Sequence, residues 1–259
     1  MYTKGDFHIH STESDGELKP GEIVLLAKER NLDIIALTDH NTVRGNKQAV
    51  KVGEIFGVKV IPGIELSTRY KGSKVHILGY FVDDKYQSDE FKMVLDNLRK
   101  KKFKACQIYF QGKLSFKSEG GKISTPAGIE LLHHFNAKVV LAHPTLLKRE
   151  AFEKIIDLNF DGIEARYYRN KPGEEEYFIK VAKEKNIIYT AGSDFHRLSK
   201  VDLKHGTLGQ IYLEEEEIEN FLNILFWEIV SFLNSVWGLG QTAFISARTS
   251  PLTYFEHWY

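Results

Sequence analysis

His8 and His10 stand two apart in the run Asp6-Phe-His-Ile-His10, and on an extended strand that spacing turns both imidazoles to one face. Two imidazoles held so can chelate a divalent cation, and Asp15 follows closely enough to reach the same region. Alone the pair says little. Its weight comes from recurrence: Asp39-His40, Glu65, His143, Glu164 and Asp194-x-His196 fall at or near the C-terminal ends of segments that read as strands, and His76 lies inside one. In a βα barrel those ends line a single mouth, where active sites form.

The candidate ligands are His8, His10, Asp15, His40, Glu65, His76, His143, Asp194 and His196. A zinc ion usually takes three or four protein ligands, so this set could serve three ions if Glu65 bridges two of them. The mixture of nitrogen and oxygen donors suits Zn²⁺, Mn²⁺ or Fe²⁺ better than Mg²⁺ or Ca²⁺. Adjacent ions acidify a bridging water and clamp the oxygens of a transferring phosphoryl group. The expected chemistry is phosphoester hydrolysis by a metal-activated hydroxide, with Asp15, His40, Glu65, Asp194 and His196 at the reacting centre. Arg166 and Arg197, just after Glu164 and His196, are expected to make bidentate phosphate contacts. Glu164 and Asp39 read as groups that orient ligand histidines from behind. His133, His134, His205 and His257 are assigned no part.

The elements that must position these residues follow a repeating pattern. The strand at Asp6–His10 runs into the turn-rich Ser11–Gly16, and a helix begins at Pro20. Further strands are expected at 33–38, 58–61, 74–82, 138–142, 162–165, 187–190 and 207–213, with helices near 149–159 and 174–185 between the later ones. Short strands alternating with helices are the signature of βα units and a mainly parallel sheet. The stretch 83–135 is too long for an ordinary connection, so it is expected to be a small insertion, with one helix over 90–108 and another starting at Pro126. The chain then divides into a barrel (1–82 and 136–217), the insertion (83–135) and an apolar C-terminal helix and tail (218–259). That last segment is broken by Glu219, Glu228 and Asn234, which argues against a membrane span and suggests a contact in a homo-oligomer.

With 35 basic and 35 acidic residues, no global field draws nucleic acid or an anionic membrane to the chain. The run Arg99-Lys-Lys-Lys102 with Lys104 reads as a solvated helix face. Cys106 is the sole cysteine, which excludes a thiolate zinc site and an intramolecular disulfide. Together with the absence of an apolar run behind Lys4, it gives a cytoplasmic location as the expectation.

At Asp6-Phe-His-Ile-His10 with Asp15-Gly16, Leu37-Thr-Asp-His40, Pro62-Gly-Ile-Glu65, His76-Ile-Leu-Gly79, Ala142-His-Pro144 and Gly192-Ser-Asp-Phe-His196, the sequence resembles the PHP family of polymerase and histidinol phosphatase domains. The resemblance implies an α/β fold, a distorted (β/α)7 TIM-like barrel with a small, mainly helical insertion. It also implies three ions: one on His8, His10, Glu65 and Asp194, one on Glu65, His76 and His143, and one on Asp15, His40 and His196. The run His10–Gly16 and the insertion after His76 are more similar to the TrpH-like branch, whose members release phosphate from nucleoside 3',5'-bisphosphates or trim short RNA or DNA ends 5' to 3'. The expected activity is therefore that of a phosphomonoesterase on a small phosphorylated substrate such as a nucleotide. The alternatives are a 5'-to-3' exonuclease on short oligonucleotides, a histidinol-phosphate phosphatase, or a metal-binding protein without catalysis.

Overall fold

The computed structural model describes residues 1–198 and 204–226. It contains two units, Met1–Phe221, which carries everything discussed below, and Leu222–Tyr259, described only over its first five residues. The elements in chain order are β1 (Lys4–Ile9), α1 (Pro20–Glu29), β2 (Ile34–Leu37), α2 (Asn46–Phe56), β3 (Lys59–Tyr70), β4 (Ser73–Phe81), α3 (Asp89–Arg99), α4 (Phe103–Tyr109), β5 (Ser118–Glu119), β6 (Lys122–Ser124), α5 (Thr125–His134), β7 (Ala137–Leu141), α6 (Arg149–Ile155), β8 (Gly162–Tyr167), α7 (Glu174–Lys185), β9 (Ile188–Gly192), β10 (Leu213–Glu214) and α8 (Glu215–Leu225).

The main sheet runs β10-β1-β2-β3-β4-β7-β8-β9. Beyond β9 the chain returns to β1, where Ile9 bridges Phe195 and the His10 N–H donates to the Phe195 carbonyl at 2.9 Å, so the barrel all but closes. Strands β2, β7 and β9 carry near-continuous buried apolar runs, as strands covered on both faces must. The helices have their own punctuation: Pro20 opens α1, and Gly57 at φ 71° and Asn186 at φ 53° end α2 and α7 in the left-handed region.

The sheet is less parallel than the sequence pattern suggests. Lys71 and Gly72, at φ 47° and 87°, form a two-residue turn that folds β4 back antiparallel on β3, and β4 is antiparallel to β7 as well. This reversal explains why His76 lies within its strand. A parallel strand brings its C-terminal end to the mouth, whereas a reversed strand brings its beginning.

Three other expectations are corrected. The helix over 90–108 is two helices, α3 and α4, because Lys101 takes φ 56° and the Lys102 N–H turns back to the Asn97 carbonyl. The strand over 207–213 shrinks to β10, which pairs antiparallel with the start of β1; before it the chain is a series of turns. The homo-oligomer contact through an apolar C-terminal helix is not sustained. Among the described residues no helix is long and apolar enough to cross a membrane. What is described of that segment is α8, an 11-residue helix with three glutamates in its first turn. Its apolar side is already used within the chain: Phe221 sits 4.6 Å from the ring of Phe7 and 5.3 Å from that of Tyr80. Residues 227–259 of that expectation lie outside the described residues.

The segment 83–135 packs through Phe91, Val94, Leu95 and Leu98 of α3 into the same apolar core as Leu66, Ile77 and Phe135. Its β6 adds to the outer part of β3, pairing Thr68 with Ile123, so it stands beside the mouth that β3 and β4 help to form.

Candidate metal centre

Glu65 is fully buried at the middle of β3, and five imidazoles close on its two oxygens. His76 Nδ1 and His143 Nε2 lie 2.7 and 2.9 Å from Oε1, while His40 Nδ1 and His10 Nε2 lie 2.8 and 3.3 Å from Oε2. On the inner side, His8 Nε2 is 3.4 Å from both Glu65 Oε2 and Asp194 Oδ1, and His10 Nε2 is 3.2 Å from the same Asp194 oxygen. On the outer side, Asp15 Oδ1 is 3.2 Å from His196 Nε2 and Oδ2 is 3.7 Å from His40 Nε2.

All nine residues singled out in the sequence therefore converge. Among the described residues four groups have donor atoms within 4.8 Å of one another, three of them made from these nine: His8, His10, Glu65 and Asp194; His10, Asp15, His40 and His196; and His40, Glu65 and His76; the fourth joins Asp194 and His196 with His205. The third differs from the expected Glu65, His76 and His143 set by having His40 in the place of His143. His143 nonetheless stays on Glu65.

Left to itself this arrangement is expensive. His8 Nε2, His10 Nδ1 and Nε2, His40 Nδ1, His76 Nε2 and Glu65 Oε2 are buried without a hydrogen-bond partner. Each such atom costs roughly 1–3 kcal/mol, and no fold gathers six in one place without a reason. Converging imidazole nitrogens and carboxylate oxygens, aimed at one another and unsatisfied, fit divalent cations.

The protonation pattern says the same. Burial alone pushes His10 down, but the carboxylates of Asp194 and Glu65 close beside it raise it to about 9, and His8 is likewise driven well up by Glu164, Asp194 and Glu65. Burial pushes Glu65 up, yet the surrounding His76, His40 and His8 hold it well below the carboxylate range. Protons here do the work a cation would do. A raised histidine is charged in the folded, metal-free protein below its folded pKa, and the stability this gives is lost as pH rises through about 9 for His10. Binding a divalent ion at pH 7.5 must then release protons, and affinity must climb as pH rises towards about 9. Calorimetric titration with Zn²⁺ in two buffers of different ionisation enthalpy should give different apparent enthalpies, with at least about one proton released per chain. Identical enthalpies in both buffers would contradict this reading.

A second layer fixes the ligands. Glu164 accepts from His8 Nδ1 at 2.9 Å and from the His143 N–H at 2.7 Å, which turns Nε2 of His8 toward the centre. Gly192 permits that approach, since a Cβ there would lie 2.2 Å from His8 Cβ and 2.6 Å from Glu164 Oε1. Asp39 does not hold a histidine; it accepts from Ser11 N–H, Ser11 Oγ and Ser14 Oγ at 2.6–2.7 Å and so shapes the loop that carries Asp15. Asp6, buried at the start of β1, accepts from the Ser193 N–H and Oγ and from the Gly209 N–H, anchoring the chain on either side of Asp194 and His196. Asp194 and His143 themselves take φ 54° and 28°, a strain that such anchoring must hold.

The arginines fare differently. Strict alternation from Glu164 would put Arg166 beside it, but β8 bulges between the two, and the inward position passes to Tyr167. The Tyr167 hydroxyl donates to Asp194 Oδ2 at 3.0 Å. Arg166 instead pairs with Glu175 and Glu217, each at 2.5 Å, and its guanidinium meets none of the nine candidate ligands in these contacts. Arg166→Ala should leave KM for any phosphate substrate nearly unchanged while costing about 1–3 kcal/mol of stability, because two carboxylates lose their partner. Urea unfolding and steady-state kinetics on the same variant would show which property moves. Arg197 is exposed directly after His196.

Tyr167 and His205 escaped the sequence reading. The first could be found only by knowing of the bulge. The second stacks on His196 at 3.8 Å and offers a donor atom within 4.8 Å of Asp194 and His196, from a turn that carries no strand pattern.

A family model described as PHP domain matches residues 6–225. A 5'-3' exoribonuclease of Haemophilus influenzae is 26% identical over 249 residues, covering 76% of this chain and 91% of that protein. A 3',5'-nucleoside bisphosphate phosphatase of Chromobacterium violaceum is 36% identical over 78 residues, 30% of this chain and 27% of the other. Among solved structures, an amidohydrolase from Chromobacterium violaceum with bound sulfate and no metal superposes with a TM-score of 0.67 at 20% identity, covering 85% of this chain and 96% of that one, and has the same fold.

Proposed function

The chain belongs to the PHP domain family, and is a metal-dependent hydrolase; from that premise we propose that it hydrolyses phosphate esters of nucleotides, as a member of the TrpH-like branch. The observation that carries the proposal is the set of buried, unpartnered nitrogens and oxygens around Glu65. Divalent ions held by the nine ligand residues would supply Lewis acidity toward a phosphoryl group and an acidified water. The chain's own residues do the rest. Glu65 spans neighbouring donor groups, Glu164 and Tyr167 orient His8 and Asp194, and the loop tied by Asp39 keeps Asp15 at the open side. Arg197 is the proposed phosphate contact on that side.

A second reading, 5'-to-3' trimming of short oligonucleotides, is favoured by one feature. A cavity of about 140 Å³ opens next to the cluster, lined by Asn41 and Ser67 near His40 and Glu65, and by Arg99, Lys101 and Lys122 of the 83–135 segment, with no carboxylate. The cationic rim suits a further phosphate of a chain, and the exoribonuclease relatives match across most of the sequence.

Protein stripped with chelator and reloaded with Mn²⁺ or Zn²⁺ should be offered a nucleoside 3',5'-bisphosphate, nucleoside 5'-monophosphates, sugar phosphates and a short 5'-phosphorylated RNA. Release of inorganic phosphate from the nucleotides supports the first reading, and stepwise release of mononucleotides from the RNA supports the second. No metal-stimulated turnover on any of them would overturn both.

A further inference from the structure

We propose that the cavity beside β3 seats a second phosphate, so that the substrate carries two phosphate groups one nucleoside apart, one at the metal centre and one against Lys101 and Lys122. The inference rests on the hydrolase reading above and narrows its substrate class.

The cavity and the metal centre share a wall. Ser67 lies two residues beyond Glu65 on β3, hence on the same face and roughly 7 Å along it, and it pairs directly across from His76 of β4. Asn41 follows His40, and its N–H donates to the Glu65 carbonyl at 2.9 Å. The Asn41 side chain is locked onto Ser67: Oδ1 accepts from the Ser67 N–H at 2.9 Å, and Nδ2 donates to Ser67 Oγ at 3.2 Å. Because that oxygen is the acceptor, the Ser67 hydroxyl hydrogen and the second Nδ2 hydrogen of Asn41 remain as donors. Both residues line the cavity, so its inner wall offers hydrogen bonds to an anion.

The opposite wall is cationic and belongs to the 83–135 segment. Arg99, Lys101 and Lys122 line it, and no carboxylate does. The basic run at 99–102 is therefore not one solvated face. Lys100 turns to Asp96 at 2.5 Å, which Arg99 also meets at 3.2 Å. Lys101, at φ 56°, is instead laid against the Gly120–Gly121 turn, where a Cβ on Gly121 would lie 3.4 Å from its Cε. Among the described residues neither Lys101 nor Lys122 has a carboxylate partner. Glu119, the acid of the β5–β6 hairpin, is spent on the Lys71 and Gly72 N–H groups. Two ammonium groups on one small cavity repel each other, and a phosphate between them turns that repulsion into charge-assisted hydrogen bonds.

The test compares four ligands on Mn²⁺-loaded protein: a nucleoside 3',5'-bisphosphate, the matching 3'- and 5'-monophosphates, and a 5'-phosphorylated dinucleotide. The proteins are wild type, Lys101→Ala/Lys122→Ala, the charge-keeping Lys101→Arg/Lys122→Arg, and Lys100→Ala. Lys101 and Lys122 are exposed, so circular dichroism should not change. Wild type should prefer the two-phosphate ligands in kcat/KM. The double alanine variant should lose at least about tenfold of that preference, chiefly through KM, whereas the arginine pair keeps most of it and Lys100→Ala all of it. The dinucleotide and the bisphosphate separate the two sources of the second phosphate, an internal diester and a terminal group, and a preference for either supports the proposal. If wild type turns over the monophosphates as well as the bisphosphate, or if the double alanine variant keeps the preference, the subsite is refuted while the hydrolase reading stands. If loaded wild type turns over nothing, the hydrolase reading falls, and calorimetric binding of the bisphosphate to the same proteins decides the subsite. Binding at least about tenfold weaker in the double alanine variant upholds it; equal affinity in both, or no binding to wild type, overturns it.

Discussion

Replacing Glu65 by Gln should reduce kcat/KM by at least about a thousandfold, near 4 kcal/mol of transition-state stabilisation. Gln matches the volume of Glu65 but carries no charge, and Glu65 touches His8, His10, His40, His76 and His143 at once. A neutral amide cannot bridge two cations as a carboxylate does, so adjacent donor groups lose their common anion. The backbone at position 65 is ordinary strand, and the fold should survive; circular dichroism and metal content on the same sample would separate lost metal from lost structure. Retained turnover with full metal content would show that Glu65 is not the bridge.

Asp194 should give the second-largest effect, and the choice of replacement matters. The residue is left-handed at φ 54°, a conformation that Asn tolerates and Ala resists. Asp194→Asn removes the anion from between His8 and His10 while keeping an oxygen for the Tyr167 hydroxyl. Its kcat/KM should fall by about a hundredfold to a thousandfold with little change in melting temperature. Asp194→Ala should lose the same activity and about 1 kcal/mol or more of stability besides. Equal melting temperatures for the two variants would mean that the backbone strain is not held as described.

His8, His10, His40, His143, Asp194 and His196 were legible because parallel strands end at one mouth, and a chemical residue at each strand end is hard to produce by chance; Glu65 falls just past the part of β3 that pairs parallel with β2, within a strand that runs on to Tyr70. His76 broke the rule for a reason visible only in the fold, namely the reversal at Lys71–Gly72. Arg166 illustrates the limit: one bulge in β8 turned it to Glu175 and Glu217 and gave the inward place to Tyr167. Alternation counts residues and cannot anticipate an extra one. The break between α3 and α4 was hidden for a related reason, since Lys100, Lys101 and Lys102 carry no proline or glycine to announce it. His205 lay in turns, where no periodicity assigns a direction; its place follows from anchors supplied by Asp6 and Ser193, far away in sequence.

The second layer was partly legible. Glu164 acts on His8 and His143 as its position beside the strand end suggested, whereas Asp39 shapes the Ser11–Ser14 loop rather than a histidine. Both are strand-end carboxylates; which partner each takes depends on the loops that fold over it.

The most direct test is the rate of phosphate release from a nucleoside 3',5'-bisphosphate as chelator-stripped protein is given increasing equivalents of Mn²⁺. The rate should start at background, rise with loading and saturate at about two to three equivalents per chain. A rate equal in stripped and loaded protein, or background release at every loading while the metal is bound, would contradict it.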